Sequence, residues 1–185
     1  MDNARNRRTG SVDSPRSQAG FGGATSNPAY LFSVGMFAAC GIMAAAFALR
    51  SAVPGREPRR IEMMALIISG TVAALLLFGW PLNDALLLSD LINTGVRCAA
   101  WTVIFALAPW VALLWAVWRG APMAGALDGA LVGAGAFLYS FALMRVDCPI
   151  DEPLHLLTWH LAPALAGIAL SAGIGAVFLR RPDRK

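Results

Sequence analysis

Apolar runs separated by short polar links organise this chain. Five of them reach the roughly 20 residues that carry a helix across a bilayer core: residues 29–49, 61–78, 98–118, 124–144 and 154–179, the last longer than one crossing needs. The segment 81–92, PLNDALLLSDLI, is too short and holds Asp84 and Asp90, which predicts an amphipathic interfacial helix rather than a sixth span. A bilayer leaves unpaired backbone groups without partners, so every span is expected to be a helix. The predicted fold class is all-α, a polytopic membrane helix bundle of five spans. Residues 1–28, rich in Gly, Ser, Asn and Arg, form an expected disordered tail. Residues 29–181 form the bundle and 182–185 a short basic tail. The first apolar run exceeds the 7–15 residues of a signal-peptide core, so the opening stretch is expected to stay uncleaved.

Composition agrees: 57% of the 185 residues are hydrophobic and 14% charged, too few charges for the surface of a soluble domain of this size. Charge placement adds an orientation. Arg50, Arg56, Arg59 and Arg60 fill the first link, Arg119 the third, and Arg180, Arg181, Arg184 and Lys185 the C-terminus. With five spans these lie on one side. The opposite links hold Arg97 and Arg145 against Asp84, Asp90, Asp147, Asp151 and Glu152. The bias of Lys and Arg toward the cytoplasm predicts a bacterial inner-membrane protein with a cytoplasmic C-terminus. It also leaves a tension, because the tail bearing Arg5, Arg7, Arg8 and Arg16 then falls outside.

Small residues recur every four positions in two spans: Gly125, Gly129 and Gly133 in the fourth, Gly167, Ser171 and Gly175 in the fifth. That spacing lines one helix face and lets two backbones approach closely, which predicts a tight antiparallel pair or a dimer seam. Asp128, between two of these glycines, is an intramembrane acid. Its place one turn inside the end predicts contact with water or with Arg119.

Most of the reactive side chains gather in one link, DCPIDEPLHLLTWH, at 147–160. Cys98 and Cys148 each lie about 20–25 residues from the short link between spans three and four, so at a 1.5 Å rise both reach one membrane level. A structural disulfide, a thiol pair reactive toward oxidants or soft metal ions, and two separate thiols all fit this spacing. Cys40, mid-span, is expected to behave as a small hydrophobe. Asp151 and Glu152 suit a helix N-terminus, His155 is a partner for them, and Trp159 suits an interfacial anchor. His155 and His160 are five apart and predicted to face different sides of a helix, a poor arrangement for one ion. No hydrolase triad, phosphate loop or nucleic-acid-reading pattern is present in the sequence.

AVPGRE at 52–57, RC at 97–98, WRGAP at 118–122, LY at 138–139 and DCPIDEPLHLLTWH, in this order, resemble the NrsF family of bacterial membrane proteins, negative regulators of a sigma factor. The resemblance covers about 29 to 181. It implies an inner-membrane anti-sigma factor, without catalysis or cofactor and without direct nucleic-acid contact. Such a protein holds an extracytoplasmic-function sigma factor and releases it on a redox or metal stress. Carried over by position, the sensing cysteines are Cys98 and Cys148. Asp147, Asp151, Glu152, His155 and Trp159, beside Cys148 in the sequence, are candidate accessory residues by their own chemistry. Members of the family usually have six spans and a cytoplasmic N-terminus. The span ending in VPGRE aligns with the second of these, so the first is expected to be missing, replaced by an unrelated tail. Asp147 stands where the family usually has His. The competing reading from the residues is a small transporter or channel-like subunit using Asp128, His155 and Asp151, which would favour internal repeats that this sequence lacks.

Overall fold

A computed structural model of the chain describes residues 28–78, 88–120, 122, 124–148, 150 and 152–179. Helix α1 is Pro28–Ser51, α2 Arg60–Phe78, α3 Leu88–Arg119 and α4 Gly125–Asp147. A final membrane-length run, Pro153–Phe178, is built of α5 (Pro153–Leu156), a π-helical turn (Leu157–Leu161) and α6 (Ala162–Phe178). These are the five expected spans, and the described residues contain no strand.

The boundaries follow from local chemistry. Proline at the first turn, at Pro28 and Pro153, has no N–H to leave unpaired there. The VPGR sequence closes the first link as a turn: the Arg56 N–H donates to the Val53 carbonyl at 3.1 Å, and Gly55 takes φ +78°, a conformation favouring glycine. Pro149 disfavours helix at the residue before it, and Cys148 is accordingly extended at φ −79°, ψ 122°.

The expected separate helix at 81–92 is corrected in part. Residues 79–87 lie outside the described residues, but 88–92 are the first turn of α3 itself. The sequence between Leu88 and Cys98 holds no proline, so the helix runs on from Leu88 into the span, where Pro109 lies further along it. The expectations for 1–27 and 180–185 fall outside the described residues.

Helix α4 is the centre of the bundle. Two thirds of it (67%) is buried, against at most 33% of any other span, and it packs on α1, α3 and α6. Its glycines explain how. A Cβ on Gly129 would lie 2.9 Å from Gly175 Cα, and one on Gly133 2.7 Å from Ser171 Cβ. The expected tight seam between the fourth and fifth spans is therefore present within the chain, at backbone-to-backbone distance. The Ser171 hydroxyl donates to the Gly129 carbonyl at 2.6 Å and accepts from the Trp110 indole at 2.9 Å, tying α3, α4 and α6 together. A second seam, with α1, was not anticipated: Gly41 of α1 lies against Tyr139 of α4, and Gly135 of α4 against Ala45 of α1.

Two ends of the bundle are distinguished by what gathers there. At one, Ala52, Val117 and Leu179 share a buried cluster and Gly120 abuts Ala52, so the ends of α1, α3 and α6 meet beside Arg50, Arg119 and the first link. There Arg50 pairs with Glu62 at 3.0 Å. At the other end, the Tyr30 hydroxyl donates to the Arg145 carbonyl, which places the start of α1 beside the Cys148 link.

Candidate functional site

The site is assembled at that second end from three helices. Cys98 lies on α3, Cys148 follows α4, His155 belongs to α5 and His160 to the π turn. Each offers one ligand atom, and the four atoms all lie within 4.8 Å of one another. The two sulfurs are 3.8 Å apart as free thiols. His155 Nε2 is 3.5 Å from Cys148 Sγ, and the two imidazole rings meet edge to face at 5.2 Å between centroids.

The expectation that His155 and His160 face different sides is overturned, and the π turn is the reason. In an α-helix five residues subtend roughly 140° beyond a full turn. Here the Ala162 N–H bonds to the Leu157 carbonyl, five residues back. This wider turn holds an extra residue and returns His160 to the face of His155. Its cause is in the sequence: Pro163 has no N–H to give the Trp159 carbonyl, and its ring clashes with the carbonyl four residues earlier. A wide turn just ahead of it relieves both. Pro163 three residues after His160 was the overlooked signal.

Both histidines are fully buried. The Thr102 hydroxyl donates to the Cys98 carbonyl at 2.9 Å and lies 3.2 Å from His160 Nδ1. With its one proton on the Cys98 carbonyl, the hydroxyl accepts from His160 Nδ1–H, and in that tautomer Nε2 carries a bare lone pair. That Nε2 has no hydrogen-bond partner among the described residues, and neither does His155 Nδ1. The Thr102 carbonyl in turn accepts from Ser140 at 2.6 Å, fixing the second layer to α4. Phe141 stands edge-on to His160 and against Phe37, and with Leu156 and Leu161 forms an apolar wall. Burial pushes the Cys148 thiol up to about 12, against a backbone hydrogen bond at Ile150 that acts the other way and with the neighbouring Cys98 adding to the rise. A thiol so held is protonated at neutral pH and slow toward oxidants.

The remaining expected residues fall around this core. Trp159 is half-buried with its indole flat against Gly95 of α3, so it locks the π turn to α3 instead of standing free as an anchor. Asp147 is exposed at the end of α4, and Glu152 precedes α5 without a capping side-chain bond. Asp151 lies outside the described residues. His155 meets Cys148 and His160 rather than the acids. At the far end, buried Asp128 accepts from the Ala124 N–H at 3.0 Å, a local helix-start bond. Arg119 lies over the Trp115 ring at 4.2 Å, so the expected Asp128–Arg119 pair is absent among the described residues. Cys40 is buried in an apolar cluster, as a small hydrophobe would be.

No curated protein and no solved structure matches the chain. A family model does, and it begins inside the opening tail, earlier than the resemblance by motif reaches. With residues 18–181 matched to the family described as NrsF, negative regulator of sigma F, this five-span helical chain belongs to the NrsF family.

Proposed function

We propose that this protein is a bacterial inner-membrane regulator that holds an extracytoplasmic-function sigma factor and lets it go when the Cys98–Cys148 pair is engaged from outside. The observation that carries this reading is the family match over 18–181. The convergence of Cys98 and Cys148 at the end of the bundle away from Arg50 and Arg119 supports a sensor on one side and a reporter on the other. The bias of arginine puts the reporter end, with the first link and the C-terminus, in the cytoplasm. The protein has no catalytic step in this reading. A signal shifts the bundle only as far as it binds one state better than the other. Helix α4 joins the two ends: it starts beside Asp128 and finishes at Cys148. A change in what Cys148 binds is therefore applied to the helix whose other end borders the cytoplasmic links.

The test is co-expression of the chain with a candidate sigma factor, followed by membrane sedimentation. The sigma factor should sediment with the chain and be released by stress, and the Cys98→Ser/Cys148→Ser protein should retain it under stress. A sigma factor that stays soluble whether or not the chain is present would overturn the reading.

A further inference from the structure

The geometry points to a Cys2His2 site for a single thiophilic divalent cation of the zinc or cadmium type, with Cys98, Cys148, His155 and His160 as its four ligands. For what occupation does, this rests on the regulatory reading above; for whether the ion binds, it rests on the site alone.

The first argument is distance. Tetrahedral zinc with bonds of about 2.3 Å to sulfur and 2.0–2.1 Å to nitrogen sets its ligands about 3.8 Å apart for two sulfurs and about 3.6 Å for sulfur and nitrogen. The chain holds Cys98 Sγ and Cys148 Sγ at 3.8 Å, and Cys148 Sγ and His155 Nε2 at 3.5 Å. All six separations among the four ligand atoms lie within 4.8 Å.

The second argument is the unspent hydrogen-bonding capacity. His160 Nε2 is buried beside His155 and the two cysteines with no hydrogen-bond partner among the described residues, a cost that an ion at that point removes. Thr102 holds His160 through Nδ1 and turns the bare Nε2 inward. This is the outer-layer contact that metal-binding histidines characteristically make.

The third argument is charge and ligand type. Two thiolates neutralise a divalent ion, so the loaded site is uncharged and tolerates its apolar wall. Two sulfurs and two imidazoles favour zinc-like ions over calcium or magnesium, which take oxygen. The backbone supports the same end: the π turn is what brings His160 to the set, and wide turns of this kind recur at functional sites. On binding, each cysteine gives its proton to solvent and forms one sulfur–metal bond, and no redox partner is needed.

The experiment uses the full chain, purified metal-free under reducing conditions in lipid nanodiscs, with Zn2+ and Co2+ as probes. One Zn2+ per chain should bind by equilibrium dialysis, and Co2+ should give the intense visible bands of a tetrahedral thiolate site. His155→Ala and His160→Ala should each weaken Zn2+ binding by more than the roughly 10- to 100-fold typical of an outer-layer change, and Thr102→Val should fall within that range. Cys40→Ser should bind as the parent does. Circular dichroism of each variant checks that the helices persist. Binding unchanged in both histidine variants, or cobalt spectra without tetrahedral character, would overturn the site. The two readings fail separately. Zn2+ binding with no effect on sigma-factor retention sinks the regulatory reading and keeps the metal site. Cysteine-dependent release from a chain that binds no Zn2+ does the reverse.

Discussion

Gly173 and Gly175 are two residues apart on α6, yet alanine at each should have opposite effects. At Gly173 a new Cβ meets nothing within 4 Å. Removing glycine from a helix interior then gains up to about 1 kcal/mol. At Gly175 the Cβ would fall 2.7 Å from Gly129 Cα and 2.9 Å from Gly129 N, and closer still to the Gly125 carbonyl, where ordinary contact starts at 3.4 Å. Those are backbone atoms of a packed helix, so no side chain can yield and the two helices must separate. Overpacking of this kind costs about 1–3 kcal/mol. Separation also stretches the 2.6 Å bond from Ser171 to the Gly129 carbonyl, and bonds between membrane helices contribute about 0.6 kcal/mol on average and up to about 1.7. Against the roughly 1 kcal/mol of helix propensity gained, Gly175→Ala should be destabilised by about 1–3 kcal/mol. The assay is reversible unfolding in mixed micelles as denaturing detergent is added, followed by circular dichroism. If Gly175→Ala proves as stable as Gly173→Ala, α4 and α6 are not in backbone contact and the description of the bundle core is wrong.

Other consequences can be checked with similar economy. In intact cells, a membrane-impermeant maleimide should label the half-buried Cys148 slowly, faster as the pH is raised, and leave the buried Cys40 unlabelled; labelling of Cys148 only in broken cells would invert the proposed orientation. Gly95→Ala forces a methyl group into the Trp159 ring, so it should weaken Zn2+ binding while leaving overall helicity intact, and full affinity would refute the role given to Trp159. Asp128→Asn removes a charge but can still accept from the Ala124 N–H; it should shift stability by less than about 1 kcal/mol, whereas a large loss would show that the carboxylate has another partner.

The spans were legible because twenty apolar residues have few alternatives in a bilayer, and the small-residue seam because glycine at every fourth position has one obvious use. Cys98 and Cys148 could be brought to one level by counting residues along antiparallel helices. The histidine pair could not be found that way. Counting assumes 3.6 residues per turn, and the π turn at Leu157–Leu161 breaks that assumption where the chemistry sits. The contact of Trp159 was hidden for a related reason: interfacial tryptophans follow a general tendency, whereas here the bare backbone at Gly95 lets the indole lie against α3. Pairing of α1 with α4 through Gly41 and Gly135 was missed because neither glycine belongs to a repeat.

A wide turn amounts to one residue inserted into an α-helix, which leads to a counterintuitive expectation. Deleting Thr158, the exposed residue of the turn, places the histidines four apart, and in an ordinary α-helix residues four apart share a face. The deletion should therefore keep His155 and His160 together, and Zn2+ affinity should survive within about tenfold, a change of about 1.4 kcal/mol. Inserting one alanine at the same point should separate the rings and abolish tight binding. A single-residue deletion inside a buried span normally rotates everything beyond it by roughly 100°, so conventional reasoning predicts that the deletion is the more damaging of the two. Should the deletion abolish binding while the insertion spares it, the π turn is not what joins the two histidines.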